Sequence, residues 1–117
     1  MGTDVFIYLQ FMRKLLLCMP GVTEKMCFDT PAFYVGGQIF ARIKEDGENL
    51  VIGTRERNKW MTASPDTYYI TEHYRNYDYM LVNLEKVNPL ELQELLITAW
   101  RNRATKKLIK EYEANTD

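Results

Sequence analysis

Two consecutive glycines, Gly36-Gly37, stand between two runs of strand-forming residues, Ala32 to Val35 and Gln38 to Lys44. Glycine takes positive φ at both centre positions of a two-residue loop without steric cost, so the pair predicts a tight β-hairpin. Such a loop sets the pairing, with Val35 opposite Gln38 and Phe33 opposite Phe40. Alternation then places Phe33, Val35, Gln38, Phe40, Arg42 and Lys44 on one face, and Ala32, Tyr34, Ile39, Ala41 and Ile43 on the other. The second set is the more uniformly apolar and is expected to pack on helices. The first mixes two phenylalanines with two cations, as a binding face does. The competing reading covers Phe33 and Phe40 with a tyrosine-rich segment or a dimer partner. A three-residue loop would swap the parity of the argument.

The rest of the chain supplies the helices and the remaining strands. Leu9, Met12, Leu16 and Met19 recur at helical spacing, with Thr3 or Asp4 as candidate caps and Pro20-Gly21 as the stop. Thr23 to Phe28 reads as an edge strand, with Asp29-Thr30-Pro31 as the turn after it. Asn49 to Gly53 reads as a strand with Leu50 and Ile52 on one side. Thr54 to Ala63 reads as a short helix capped by Thr54 and anchored by Trp60 and Met61. Thr67 to Asp78 is dense in tyrosine and has no clear period, whereas Tyr79 to Leu84 alternates as a strand. Asn88-Pro89-Leu90-Glu91 is a helix start: Asn88 caps, Pro89 takes the first position and Glu91 completes a capping-box-like pattern, with Val87 and Leu92 as a staple. Thr105 is expected to cap a last helix bearing Leu108, Ile109 and Tyr112. Helix, strands, helix, strand and helices in this order predict an α+β fold with an antiparallel sheet.

With 117 residues the chain is expected to form a single domain, 1–117. Fifteen Lys and Arg against sixteen Asp and Glu exclude a wholesale polycation but not a local basic patch. The apolar run from Val5 to Met19 is interrupted by Arg13 and Lys14, too short and too charged to span a bilayer. Cys18 and Cys27 match no metal spacing and read as buried or half-buried thiols of a cytoplasmic protein.

The chain resembles the MmcQ/YjbR family of small bacterial proteins. The resemblance rests on Met19-Pro20-Gly21-Val22-Thr23-Glu24, on Thr30 through Ala41, on Tyr69 through Tyr74, on Tyr79-Met80-Leu81-Val82, and on Leu90 through Arg101 with Lys106-Lys107-Leu108. It implies a CyaY-like/double-wing antiparallel sheet with helices packed on one face. It also implies DNA binding, by the family's likeness to a double-wing transcription-factor domain, and so a non-enzymatic binding module. The iron handling of the frataxin side of that fold group uses acidic residues on the first helix. Here that helix offers only Asp4, so no metal or other cofactor is implied.

No nucleophile motif, metal motif or phosphate-binding glycine loop is present, so no catalytic residue is assigned, although scattered carboxylates can build a site without a motif. The candidate nucleic-acid contacts are Phe33 and Phe40 for stacking, Arg42 and Lys44 for phosphates, His73 and Arg75 beside a strand, and Lys106 and Lys107 in the basic stretch from Arg101 to Lys110. Each has a structural counterpart: His73 pinning a connection through backbone groups, the eight tyrosines filling half-buried surface, and the basic stretch forming a solvated helix end. The alternative function is a protein- or small-ligand-binding module without nucleic-acid affinity. In either case the protein is expected to work as a monomer or a homodimer, away from membranes.

Overall fold

The computed structural model describes residues 5–115. The candidate caps Thr3 and Asp4 lie outside the described residues. The elements run α1 (Val5–Leu16), β1 (Val22–Cys27), β2 (Thr30–Val35), β3 (Gln38–Ile43), β4 (Asn49–Gly53), α2 (Arg57–Ala63), β5 (Tyr68–Tyr69), a 3₁₀ turn (Glu72–Tyr74), β6 (Tyr79–Asn83), α3 (Pro89–Arg103) and α4 (Lys106–Asn115). The strands form a six-stranded sheet ordered β1-β2-β3-β4-β6-β5, with antiparallel neighbours throughout. The fold is α+β, as the element order predicts.

The helices lie on one side of the sheet. Leu9, Met12 and Leu16 of α1 and Leu92, Leu95, Leu96, Ala99 and Trp100 of α3 are buried there. They share a core with Leu50 and Ile52 of β4 and Met80 and Val82 of β6, side chains that alternation turns inward. Specific polar contacts fix the layers. The Arg13 guanidinium donates to both carboxylate oxygens of Glu24 at 2.8 and 2.7 Å, tying α1 to β1. The buried Trp100 indole donates to the Pro20 carbonyl at 3.0 Å, tying α3 to the turn before β1. Gly21 in that turn has φ of 73°, a region that favours glycine, and a Cβ there would press on the Leu108 side chain of α4 at 2.8 Å.

The start of α3 forms as its sequence dictates: the Asn88 side chain accepts from the Leu90 N–H at 2.8 Å and Pro89 opens the helix. Val87 and Leu92 are both buried in the core. Glu91 does not close a capping box. Its carboxylate accepts from the buried Tyr68 hydroxyl at 2.5 Å instead, because β5 brings that phenol within reach. Thr105 caps α4, accepting from the Leu108 N–H at 3.2 Å. Thr54 does not cap α2; it accepts from the Glu56 N–H at 3.1 Å and so forms a turn ahead of a helix that begins at Arg57.

Two expectations about the hairpin are corrected. The Gly36-Gly37 loop is a two-residue turn, with φ of 60° and 77° and Val35 opposite Gln38. Beyond Tyr34↔Ile39, however, the register shifts: Phe33 pairs with Ala41 and Ala32 with Arg42, leaving Phe40 as an extra residue in β3. A β-bulge turns Phe40 and Ala41 to the same side. Phe33, Val35, Phe40, Ala41 and Ile43 therefore all join the helix-side core, and both phenylalanines are fully buried. Arg42 moves to the opposite face with Ala32, Tyr34 and Ile39. Phe33 and Phe40 are thus buried within the chain itself, in the core that the helices cover and that Tyr68 shares.

The turn between β1 and β2 is also displaced from its expected place at Asp29-Thr30-Pro31. Cys27 pairs with Thr30, so the loop is Phe28-Asp29, with φ of 52° and 65°. Thr30 and Pro31 belong to β2. The two cysteines are free, Cys18 exposed rather than buried and Cys27 half-buried. No helix among the described residues is long and apolar enough to cross a membrane.

Candidate functional site: a groove on the open sheet face

The face of the sheet away from the helices carries a groove. Its deeper part is a cavity of about 200 Å³ lined by Cys27, Phe28, Ile39, Arg42, Val51, His73, Tyr74 and Tyr79, among others. A shallower part of about 340 Å³ continues over Lys44, Glu45 and Thr71, sharing Phe28, Arg42, His73 and Tyr74 with the first. Strand order explains the shape. Phe28 rises from the β1–β2 turn on one side, and His73 and Tyr74 come from the β5–β6 connection on the other. Residues of β3 and β4 lie between them as the floor.

Arg42 is the charged centre of that floor, with its side chain only 9% exposed. Its Nη1 donates to Glu45 Oε1 at 2.7 Å and to Thr30 Oγ1 at 3.4 Å, and its Nη2 donates to the Tyr74 hydroxyl at 3.3 Å. The Phe28 ring lies over the guanidinium, 5.5 Å from ring centre to Cζ. Burial works against the charge, but the bonds to Glu45 and Tyr74 outweigh it and raise the guanidinium pKa above its usual value. The Glu45 carboxyl sits below its usual range, held there first by a backbone N–H and then by Arg42.

The two walls are made differently. Phe28 is 76% exposed and in the left-handed region, which a bulky residue occupies at a cost of about 1–2 kcal/mol. The opposite wall is held by one residue with no special signal in the sequence. Arg57 Nη1 donates to the carbonyls of Tyr74, Tyr77 and Tyr79 at 2.8, 2.6 and 3.2 Å, and its Nη2 donates to that of Arg75 at 2.6 Å. The backbone pin expected of His73 is thus made by Arg57. The His73 ring is exposed and packs edge-on against Tyr74, with centroids 4.8 Å apart.

Of the candidate residues, the fold gathers Arg42, Lys44 and His73 around the groove. Lys44 leans on Asp46 at 3.8 Å. Arg75 is exposed and paired with Glu72 at 3.2 Å. Lys106 and Lys107 are exposed on the first turn of α4, on the helix layer rather than the groove. Phe33 and Phe40 are in the core, where no base could stack on them. Phe28, Glu45 and Arg57 are the site residues that the sequence did not single out, whereas Tyr74 stands beside the candidate His73 in the polar, tyrosine-dense stretch. Among the described residues, no group of three or more His, Cys, Asp or Glu side chains gathers to hold a metal ion.

A family model described as YjbR matches residues 17–102. Uncharacterized proteins Rv2570 of Mycobacterium tuberculosis and Mb2600 of Mycobacterium bovis are each 35% identical over 81 residues, which is 69% of this chain. The chain spans 57% of the length of these curated relatives. A crystal structure of Deinococcus radiodurans protein DR2400, described with a DUF419 domain, superposes with a TM-score of 0.71 over 90% of this chain and 87% of that one. At 22% identity that likeness concerns the fold.

Proposed function

The chain belongs to the YjbR family, and from that premise we propose that it is a non-enzymatic binding module whose ligand, a small molecule, sits in the open-face groove. The observation that carries this reading is the cavity of about 200 Å³ with a nearly buried guanidinium in its floor and aromatic side chains on both walls. Ligand sites are concave, mostly apolar and supplied with a few converging polar groups. The left-handed Phe28 supports the reading, since backbone strain of this kind concentrates at ligand clamps. The setting proposed is a bacterium, as the family resemblance implies, and its cytoplasm, as the reading of Cys18 and Cys27 as free thiols suggests.

The test is a fragment screen followed by two-dimensional NMR. Hits are expected to shift the amides of residues 27–30, 39–42 and 71–79 together. Hits that shift only other residues would refute the groove.

A second reading, DNA binding, follows from the double-wing likeness that the family implies and is favoured by one observation: Lys106 and Lys107 are both exposed at the start of α4. It no longer draws on the sheet, because Arg42 is engaged by Glu45 and the two phenylalanines are in the core. If it holds, duplex DNA affinity falls with salt by a log–log slope of about −0.9 per phosphate contacted, and replacing both lysines by alanine flattens that slope by about two such steps. No detectable duplex binding at low salt would reject it.

A further inference from the structure

We propose that the groove is built for a single-ring aromatic carboxylate, whose anionic group takes the place on Arg42 that Glu45 fills in the free protein. This rests on the groove being a ligand site and adds the chemical class of the ligand.

Size comes first. A cavity of about 150 Å³ holds a benzene ring. The deeper part of the groove, about 200 Å³, therefore admits one ring and a small substituent. The shallower part is open to solvent over Lys44, Glu45 and Thr71 and leaves room for a short extension of the ring.

Wall chemistry comes second. Phe28 and Tyr74 face the space from opposite sides of the groove, with Ile39 and Val51 on the floor between them. Flat apolar surface on both sides suits a ring better than a flexible chain, since rings gain offset or edge contacts beyond simple burial.

Polar complementarity comes third. The Tyr74 hydroxyl accepts from Arg42, and its own proton has no acceptor within the described contacts, so it can donate into the groove. Guanidinium and phenol thus present donors to the same place, and a carboxylate is the acceptor that uses both.

Glu45 is the fourth observation. Its carboxylate already occupies the Arg42 fork, yet its side chain is 51% exposed and belongs to the turn after β3. Exchanging one carboxylate for another on Arg42 leaves the charge of the floor unchanged. It returns Glu45, whose side chain is already half-exposed, to water, which solvates the carboxylate in place of Arg42. Glu45 acts as a built-in competitor that keeps a buried cation paired until ligand arrives.

The experiment uses three probes, benzoate, benzamide and cyclohexanecarboxylate, titrated into the full chain and followed by amide shifts. Benzoate is expected to shift Phe28, Arg42 and Tyr74 and to bind more tightly than either control. Glu45→Gln removes the competing charge and is expected to raise benzoate affinity about three- to fivefold. Arg42→Gln is expected to abolish binding. Because that variant leaves Glu45 unpaired and can disturb the fold, Tyr74→Phe gives a milder check and is expected to weaken benzoate but not benzamide. Equal binding of benzoate and benzamide in the groove, or no gain in Glu45→Gln, would overturn the carboxylate assignment while leaving the groove as a ligand site. Equal binding of cyclohexanecarboxylate would overturn the aromatic part. Shifts confined to residues outside the groove would overturn both this proposal and the site on which it rests.

Discussion

Replacing Arg57 tests how the wall of the groove is held. Its guanidinium contacts four carbonyls between Tyr74 and Tyr79, but those contacts do not count as four full bonds. Nη1 has two protons for three acceptors, and Nη2 uses one on the fourth. Three donations at about 1 kcal/mol each give about 3 kcal/mol, the modest value being right for carbonyls that water can reach. Freeing the side chain on mutation returns about 1–2 kcal/mol of rotamer entropy. The net loss in Arg57→Met, which keeps most of the apolar stem, is therefore about 1–2 kcal/mol. It should appear as local opening of the Glu72–Tyr79 segment rather than global unfolding, because this segment has few buried side chains. The Tyr74 and Tyr77 amides, bonded within the segment to Thr71 and Tyr74 carbonyls at 3.0 and 3.1 Å, should exchange with deuterium about five- to thirtyfold faster. Arg57→Lys should recover less than half of the protection, since a point charge cannot present a planar fork. Unchanged exchange at both amides in Arg57→Met would refute the reasoning.

Phe28→Gly should remove left-handed strain of about 1–2 kcal/mol and add about 0.5–1 kcal/mol of backbone entropy cost, for a net gain of up to about 1.5 kcal/mol. A lower urea midpoint would show that the turn is not strained. Asn88→Ala should cost about 0.5–2 kcal/mol through loss of the α3 cap, again read from the denaturant midpoint, and no change would mean that the cap is not stabilising. The Tyr68 hydroxyl has its pKa raised above the usual 10, first by burial and then by its bond to Glu91. Its contribution to stability is therefore full below pH 10 and lost as pH rises beyond it. Thermal melts of the wild type should fall more steeply above that pH than those of Tyr68→Phe, and parallel curves would contradict the assignment.

Sequence alone determined the parts whose causes are local. Gly36-Gly37 made a two-residue turn because only glycine takes that backbone at no cost, and Asn88-Pro89 started α3 because the cap satisfies a neighbouring N–H. The helical spacing of Leu9, Met12 and Leu16, and the alternation of Leu50 with Ile52, named core residues correctly because burial follows period. Tertiary structure decided everything that depends on register or on distant partners. One extra residue at Phe40 turned Arg42 and Lys44 to the opposite face from Phe33, and nothing in the local pattern marks a bulge. Glu91 left its capping role once β5 brought the Tyr68 hydroxyl to it. Arg57 reads in sequence as an ordinary first-turn cation, yet it gathers carbonyls 17 to 22 positions away. The groove has the same origin: its floor comes from β3 and β4 and its walls from two connections far apart in the chain. Strand order, which no local preference encodes, is what brings Phe28, Arg42 and Tyr74 together.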